Sequence, residues 1–210
     1  MFIDILKSLW RGKSLVRSLM NEALKKYAVY GAVLDVGGGV NPSYYAFLQK
    51  KDGTRVQSVD GRNQAIDFEK DRLSAQDDSK DCVLLFNVLE HIYNHNFLAG
   101  ELFRVVKKEG LVLGFVPFLV NYHPDPHDYF RYTEEALQKI FSAAGFTEVD
   151  VKPVGFGPGA VGFNALATLL PRVITAALWP ACYLFDSALL KLKPQLRRRY
   201  PLGYLFVLRK

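Results

Sequence analysis

Cysteine is scarce in this chain of 210 residues, and recognisable nucleic-acid-binding motifs are missing. The two cysteines, Cys82 and Cys182, lie far apart, so we interpret both as reduced packing residues of a cytoplasmic chain. No RNP, zinc-knuckle or helix-turn-helix pattern occurs in the sequence. We therefore expect no nucleic-acid partner.

Positive charge is unevenly distributed along the chain. The net charge is +6 at pH 7, yet residues 32–150 hold more acids than bases, whereas residues 1–31 and 151–210 are basic. Both basic segments also contain many apolar residues. Cationic sequence beside apolar sequence suits an anionic membrane surface at least as well as a phosphate backbone.

Residues 1–31 lack the features of a secretory signal. Charged residues interrupt every apolar run, and no small-residue cleavage site follows them. Apolar residues recur at helical spacing on both sides of Gly12, which predicts two amphipathic helices. We expect these helices to cover one side of the domain or to rest on a membrane.

Short apolar runs of strand character alternate with helical patterns through the middle of the chain. This alternation predicts an α/β fold with a doubly wound, mostly parallel sheet. Ligands bind such sheets at the carboxyl ends of the strands, where the strand order reverses. The predicted strands are residues 32–36, 56–59, 82–86, 111–116 and 147–151, with a weaker candidate at 65–68, and the predicted helices are residues 44–50, 96–106 and 133–144.

Three consecutive glycines, Gly37 to Gly39, follow the first predicted strand. They do not form a phosphate-binding Walker loop, because no Gly-Lys-Ser or Gly-Lys-Thr follows. A dinucleotide fingerprint also fits poorly, since Pro42 stands where its third glycine belongs and Asp35 would repel a pyrophosphate. The loop favours a phosphate-free, positively charged ligand such as S-adenosylmethionine. Asp60, after the next strand, can accept hydrogen bonds from both ribose hydroxyls.

Four stretches in this region give a more specific indication. They are LDVGGG at residues 34–39, VQSVDG at 56–61, DFEKDRL at 67–73 and DCVLLFNVLEHI at 81–92. In this order and spacing they resemble the motifs of the class I S-adenosylmethionine-dependent methyltransferases, in particular the bacterial group related to ubiquinone and menaquinone methyltransferases. The resemblance covers residues 33–145. It implies S-adenosyl-L-methionine as the cofactor and a Rossmann-like, seven-stranded sheet whose last strand is antiparallel.

The resemblance also implies which residues contact the cofactor. Asp60 would bind the ribose, Asp71 lies where the family contacts adenine, and Asn87 would reach the cofactor after the fourth strand. At residues 41–42 the sequence Asn-Pro replaces the family's usual small residue. We interpret His91 as a packing or helix-start residue. The full predicted set is Asp35, Gly37, Gly38, Gly39, Asn41, Asp60, Gly61, Asp71, Arg72 and Asn87.

The loop NYHPDPHDYFRYTEEAL, residues 121–137, carries the candidate catalytic residues. His127 is the candidate general base for a hydroxyl group, with Asp128 or Asp125 orienting it, and His123 is a second candidate. A metal site built from His123, His127 and nearby acids is disfavoured, because two prolines prevent the helical spacing that would bring the histidines together. We therefore expect no metal.

The same loop also carries the candidate acceptor-binding residues. Tyr129 and Tyr132 are predicted to line an acceptor pocket, in which Arg131 holds an anionic group. The alternative is a structural loop whose aromatic residues lie in the core and whose Asp128–Arg131 pair braces the entry to the next helix. Both interpretations stay open at this point.

A long apolar insert, residues 154–200, precedes the final predicted strand at residues 204–210. Its uncharged stretch, residues 173–185, is interrupted by Pro180 and is shorter than the roughly 20 residues that span a membrane. The basic residues that follow favour a helical hairpin lying at the inner face of the membrane. A homodimer interface and a lid over the substrate are the alternatives. The predicted units are the N-terminal helices 1–31, a methyltransferase domain formed by 32–153 and 201–210, and the apolar helical insert 154–200.

Together these features predict an S-adenosylmethionine-dependent methyltransferase that O-methylates a small-molecule or lipid-linked glycan acceptor. Stretches similar to residues 127–133 occur in methyltransferases that resemble those of bacterial surface-polysaccharide clusters, which is an analogy at the level of the fold. The alternatives are a C-methyltransferase acting on a membrane quinone or polyketide, a nicotinamide-dependent oxidoreductase, and a non-catalytic membrane adaptor.

Overall fold

The computed structural model describes residues 1–61 and 66–210. Its strands are β1 (Ala28–Val29), β2 (Ala32–Val36), β3 (Gln49–Lys50), β4 (Arg55–Val59), β5 (Lys80–Phe86), β6 (Val106–Pro117), β7 (Glu148–Val154) and β8 (Gly203–Arg209). Six of them form the central sheet, in the order β4-β2-β5-β6-β8-β7. Among these six described strands, β8 alone runs opposite to the direction that the other five share. The predicted mostly parallel α/β sheet with an antiparallel last strand is therefore confirmed.

Helices cover both faces of this sheet. The two predicted N-terminal helices are present, and the side chain of Thr133 caps the helix that follows it by accepting a hydrogen bond from the Ala136 backbone N–H. The helices are α1 (Phe2–Trp10), α2 (Leu15–Leu24), α3 (His95–Val105), α4 (Glu134–Ala143), α5 (Pro158–Ala167), α6 (Arg172–Leu192) and α7 (Leu196–Arg199).

Side chains alternate between two apolar cores, one on each face of the sheet. Val83 and Leu85 of β5 face the core that contains α3 and α4, whereas Cys82 and Leu84 face the core that contains α1, α2, α5 and α6. A strand with both faces covered in this way must be apolar at successive positions. The N-terminal helices and the insert therefore share one core with the sheet.

Two predicted elements differ from the structure. The helix predicted at residues 44–50 is a 3₁₀-helix, Ser43–Ala46, followed by β3, which pairs with β1. Pro42 immediately precedes this 3₁₀-helix and Phe47 follows it. The segment between them has only four residues, which are too few for a stable α-helix. Of the weaker strand candidate at 65–68, Ala65 lies outside the described residues, and residues 66–68 form no strand. The described sheet therefore has six strands rather than the seven predicted.

The insert is helical, but Pro180 does not interrupt it as predicted. Helix α6 continues through Pro180 for 21 residues, and by length and composition it is long and apolar enough to cross a membrane. A proline removes one backbone hydrogen bond, and tertiary packing can compensate for that loss. Here Trp179, next to the proline, is fully buried against Phe156 and Phe163.

A buried carboxylate joins the two long helices of the insert. Asp186 of α6 is fully buried, and its oxygens accept hydrogen bonds from the backbone N–H groups of Gly159 and Ala160 at 2.8 and 2.7 Å. These N–H groups belong to the first turn of α5, where no earlier carbonyl in the helix can accept from them. Asp186 therefore acts as a cap supplied by a neighbouring helix, and the negative charge also suits the positive end of the α5 dipole.

Candidate active site

A large opening lies where the strand order reverses, above the carboxyl ends of β2, β4 and β5. It has a volume of about 1070 Å³. This is the position at which open α/β sheets bind their ligands. Its lining includes Gly37, Gly38, Gly39, Asp60, Gly61, Ile66, Asp67, Phe68, Asn87, His91, Asp125 and His127.

The glycine loop brings bare backbone to the wall of this cavity. Gly37 and Gly39 have φ angles of +78° and +62°, which side-chain-bearing residues rarely adopt. At Gly38 a Cβ atom would lie 2.1 Å from a carboxylate oxygen of Asp35, so only glycine fits. Asn41, by contrast, is exposed and is not among the lining residues, so the structure does not bring it to the cavity.

Asp35 lies behind the loop rather than in the cavity wall. Its side chain is fully buried and accepts hydrogen bonds from the hydroxyls of Tyr44, at 2.7 Å, and Tyr45, at 2.5 Å. Burial raises the pKa of Asp35, and the two hydroxyl donors partly oppose that effect. The structure places Tyr44, and not Asp35, in the cavity wall, so Asp35 lies one side chain away from a ligand bound there.

Asp60 and Gly61 line the cavity after β4, as their positions in the sequence predict. Asp71 and Arg72 are exposed and lie outside it, contrary to prediction. The reason is a turn in which the Asp71 carboxylate accepts a hydrogen bond from the Asp67 N–H at 2.9 Å. This turn places Asp67, Phe68 and Glu69 at the cavity instead. The stretch at residues 67–73 therefore reaches the cavity through its first three residues, and its binding of the cofactor stays a prediction.

A smaller cavity of about 580 Å³ adjoins the first. Asn87, directly after β5, lines both, and its φ angle of +53° is of a kind that asparagine tolerates better than most residues. The insert and the N-terminal segment form much of the wall of this smaller cavity. Its lining includes Leu15, Arg17, Asn87, His91, Pro117, His123, Asp125, Asn164, Thr168 and Thr175.

His127 and Asp128 point in different directions. His127 is exposed, lines the larger cavity and stacks on Tyr129, with ring centres 5.2 Å apart. The Asp128 carboxylate instead binds both Nη atoms of Arg131 and accepts a hydrogen bond from the His123 backbone N–H. Arg131 lowers the pKa of Asp128 to about 2. Asp128 therefore does not orient His127, whereas Asp125 lies beside both cavities.

The predicted acceptor-binding residues do not line either cavity. Arg131 is held by Asp128, as the structural interpretation of this loop expects. Tyr132 is buried and donates a hydrogen bond to the Leu89 carbonyl, and Tyr129 lies on the surface against Tyr93. Arg131 and Tyr132 therefore brace the loop through their bonds, and the structure brings none of the three side chains to either cavity.

Sequence reasoning missed several residues at the junction of the two cavities. His91 lines both cavities and not only the core, and Arg17 from the first turn of α2 does the same. Glu90, next to His91, is fully buried. The adjacent Glu-His pair after a buried strand was the available signal, whereas nothing local in the sequence places Arg17 near this strand.

The comparison with protein families matches residues 34–114 to a family described as a methyltransferase domain. The chain carries an S-adenosylmethionine-dependent methyltransferase domain. The match spans the glycine loop, Asp60 and Asn87, and it ends before the loop at residues 121–137 and the insert. The predicted class of enzyme is confirmed, whereas the identity of the acceptor lies outside the matched region. No curated protein sequence matches the chain significantly.

Solved structures share the fold at low sequence identity. A methyltransferase from Archaeoglobus fulgidus described as SAM-dependent has a TM-score of 0.58 at 16% identity, with 97% of each chain covered. The [4+2]-cyclase SpnF has a TM-score of 0.57 at 15% identity, with 99% of this chain and 93% of that chain covered. Because a cyclase is among these neighbours, the fold alone does not determine the reaction.

A nematode enzyme with this fold has been solved with cofactor bound. Phosphoethanolamine N-methyltransferase 2 of Haemonchus contortus, in complex with S-adenosyl-L-methionine, has a TM-score of 0.55 at 16% identity. The alignment covers 91% of this chain and 52% of the nematode protein, so the chain spans about half of that enzyme's length. The likeness establishes the fold of the shared half.

Proposed function

We propose that the protein transfers the methyl group of S-adenosylmethionine to a hydroxyl oxygen of a small-molecule or lipid-linked glycan acceptor. The observation that supports this most directly is the meeting of two cavities at Asn87 and His91. A methyl transfer requires cofactor and acceptor to lie side by side with their reacting atoms in line. The larger cavity would hold the cofactor, and the smaller one the acceptor.

The larger cavity has the shape and the polar groups that this cofactor needs. The Asp60 carboxylate can accept hydrogen bonds from both ribose hydroxyls, and the bare backbone of the glycine loop allows close approach. Phe68 and Ile66 supply apolar surface on which the adenine ring of the cofactor can pack. The volume of about 1070 Å³ lies at the upper end of the range of small-molecule sites.

When bound, the cofactor supplies a methyl group that its sulfonium makes electrophilic. As the acceptor oxygen forms its bond to that methyl group, we propose that His127 accepts the hydroxyl proton. The methyl–sulfur bond breaks in the same step, and its electron pair stays on the sulfur. The insert and the N-terminal helices wall the acceptor cavity and reduce its contact with water.

Replacing His127 by alanine should lower kcat for methyl transfer by at least ~100-fold, because general bases contribute about 10²–10⁴-fold. Cofactor affinity should change little, since the Asp60 side of the cavity is untouched. The assay uses radiolabelled S-adenosylmethionine with lipid and polysaccharide extracts of the source cell, followed by identification of the labelled product.

Tyr122→Ala is the control for this experiment, because Tyr122 is an exposed residue of the same loop that is not among the residues lining either cavity. Its kcat should stay near the wild-type value. Full activity of His127→Ala would remove the proposed base and favour an acceptor that needs none, such as an electron-rich carbon. A complete lack of labelled product with every extract would count against the proposed class of acceptor.

We further propose that the insert contacts an anionic membrane surface, from which a lipid-linked acceptor would enter. Large apolar side chains of α6 are exposed, among them Val173 at 61%, Leu184 at 67% and Leu192 at 80%. A basic cluster, Arg197 to Arg199, follows this helix. Trp179 and Asp186 hold the helix against the rest of the insert, which shares one core with the sheet, and this favours a helix lying at the interface over one that crosses the bilayer.

The membrane proposal predicts that the double variant Val173→Glu/Leu184→Glu loses at least ~10-fold in partition to anionic vesicles, because two charged side chains would enter the interface. Flotation with phosphatidylserine-containing vesicles measures this. Val40→Glu is the control, because Val40 is 89% exposed but lies outside the insert. Equal vesicle binding by the wild type, the double variant and Val40→Glu would contradict membrane contact by this face. So would a wild-type dimer in analytical ultracentrifugation that the double variant no longer forms.

A further inference from the structure

We infer that Glu90, His91 and His123 form a binding site for a divalent transition-metal ion, for which zinc is the best match. Nitrogen and oxygen atoms that could bind an ion on these three residues all lie within 4.8 Å of one another. Two of the residues follow β5 directly, and the third lies in the loop after β6. The sheet therefore brings them together although they are far apart in the sequence.

Glu90 is a buried carboxylate that lacks hydrogen-bond donors. Its side chain has no solvent exposure, and neither of its oxygens accepts a hydrogen bond from residues 1–61 or 66–210. An uncompensated carboxylate in the interior costs several kcal/mol, so such groups are normally paired or bound to a metal. The nearest charged or ionisable neighbours of its Oε1 atom are the Nε2 atoms of His91, at 3.6 Å, and His123, at 3.7 Å.

Both histidines are oriented as metal ligands are. Nδ1 of His91 lies 2.5 Å from the His127 carbonyl oxygen, and Nδ1 of His123 lies 3.1 Å from the Asn121 carbonyl oxygen. A carbonyl can only accept, so in each ring the proton belongs on Nδ1. In the neutral imidazole the lone pair is then on Nε2, the atom that faces Glu90. Backbone carbonyls commonly fix metal-binding histidines in this way.

Arg131 makes a competing contact with His123. Its Nη2 lies 3.3 Å from Nδ1 of His123, and a guanidinium can only donate. Two acceptors face the same nitrogen, however: the closer Asn121 carbonyl and the Asp128 carboxylate at 3.6 Å. The protonated Nδ1 of His123 is therefore the better-supported tautomer.

The separations suit a tetrahedral ion. Zinc bound to nitrogen and oxygen at about 2.0–2.1 Å places neighbouring ligand atoms about 3.3 Å apart. The observed separations of 3.6 and 3.7 Å between Oε1 and the two Nε2 atoms need to shrink by only a few tenths of an ångström. Two imidazoles and one carboxylate are also a ligand set that leaves zinc a fourth, open position.

The open position would face the acceptor. His91 and His123 both line the smaller cavity, whereas Glu90 is not among the lining residues of either cavity. An ion held there would bind the acceptor hydroxyl and lower its pKa, which makes removal of its proton by a nearby base easier. This part of the inference rests on the proposed function, whereas the metal site itself does not.

Metal binding by the purified chain of 210 residues tests the site without any substrate. The protein is freed of metal with a chelator and titrated with Zn²⁺ by calorimetry and with Co²⁺ by visible absorption. We expect one ion per chain and the strong ligand-field bands of tetrahedral Co²⁺. Glu90→Gln and His123→Ala should each weaken Zn²⁺ binding by at least ~100-fold, because each removes one of three ligands.

Two further measurements test whether the bound ion is held by these three side chains. His127→Ala should bind Zn²⁺ as the wild type does, because only the His127 backbone carbonyl touches the site. Zn²⁺ should raise the Tm of the wild type but not that of Glu90→Gln, and a cooperative thermal transition of this near-isosteric variant without metal would show that it is folded. Binding that survives both ligand variants, or no uptake beyond that of Glu90→Gln, would overturn the site.

The labelled-methyl assay separates the metal from the chemistry. Loss of methyl transfer after chelation, with recovery on addition of Zn²⁺, would support the role toward the acceptor. If Zn²⁺ binds stoichiometrically but methyl transfer resists chelation, the metal site stands and the proposed role of the ion toward the acceptor is wrong. Zn²⁺ binding without any methyl transfer would count against the proposed function while leaving the metal site in place.

Discussion

Replacing Asp60 by asparagine should weaken the binding of S-adenosylhomocysteine by about 100-fold. Each hydrogen bond from a ribose hydroxyl to a carboxylate contributes about 1.5–3 kcal/mol, and asparagine keeps the shape but loses the charge and one acceptor oxygen. A loss of about 2.7 kcal/mol corresponds to the stated factor. Isothermal titration calorimetry on the purified protein measures the affinity directly.

Asp71→Asn is the matched control for Asp60→Asn. Asp71 is an exposed aspartate in a neighbouring segment, and its side chain makes a local bond to the Asp67 N–H that asparagine can also make. Cofactor affinity should stay within ~3-fold of the wild-type value, since this residue lies outside the lining of the cavity. Normal affinity in Asp60→Asn, or equal losses in both variants, would show that Asp60 is not the ribose ligand.

A single methyl group added at Gly38 should remove cofactor binding almost completely. The new Cβ would lie 2.1 Å from Asp35 Oδ2 and 2.6 Å from Tyr44 Oη. Asp35 and Tyr44 are buried and bonded to each other, so neither can move away without breaking that bond. We expect Gly38→Ala to lose at least ~100-fold in affinity and about 2–3 kcal/mol in unfolding free energy, as overpacked sites do.

Gly100→Ala tests whether any glycine replacement has this effect. Gly100 lies within α3, and no heavy atom stands within 4 Å of the position that its Cβ would take. Alanine should therefore stabilise the fold by up to about 1 kcal/mol and leave cofactor binding unchanged. Calorimetry and urea unfolding compare the two variants. A Gly38→Ala protein that binds normally would mean that the loop can move away from Asp35 at little cost.

The sheet was predictable because its strands are short apolar runs bounded by turn residues. The buried runs in β2, β5 and β6 have no competing helical pattern. The error at residues 44–50 has a tertiary cause: β3 exists because β1 is there to pair with it, and two-residue strands leave no periodicity to detect. The continuity of α6 through Pro180 likewise depends on the burial of Trp179.

For the site, the sequence was informative wherever a residue directly follows a strand. Gly37, Asp60 and Asn87 line the larger cavity because the carboxyl ends of parallel strands meet at one edge of the sheet. Side chains whose direction depends on a distant residue were misassigned. Asp35 is turned toward Tyr44, a bond that no local pattern shows, whereas the Asp128–Arg131 pair spans three residues and was one of the two interpretations that the sequence left open.

The last strand of the chain occupies an interior place in the sheet. Because β8 lies between β6 and β7, β7 has no neighbour in the central sheet until the residues of β8, Gly203–Arg209, have been synthesised. During translation strands β2, β4, β5 and β6 can assemble before β8 is synthesised. The apolar helices of the insert, which precede β8 in the chain, stay partly exposed until the sheet is complete. Late, long-range pairing of this kind slows folding and exposes nascent chains to aggregation. The yield of this protein in the cell would then depend on the seven residues of β8, Gly203–Arg209, more than on any earlier segment of that length.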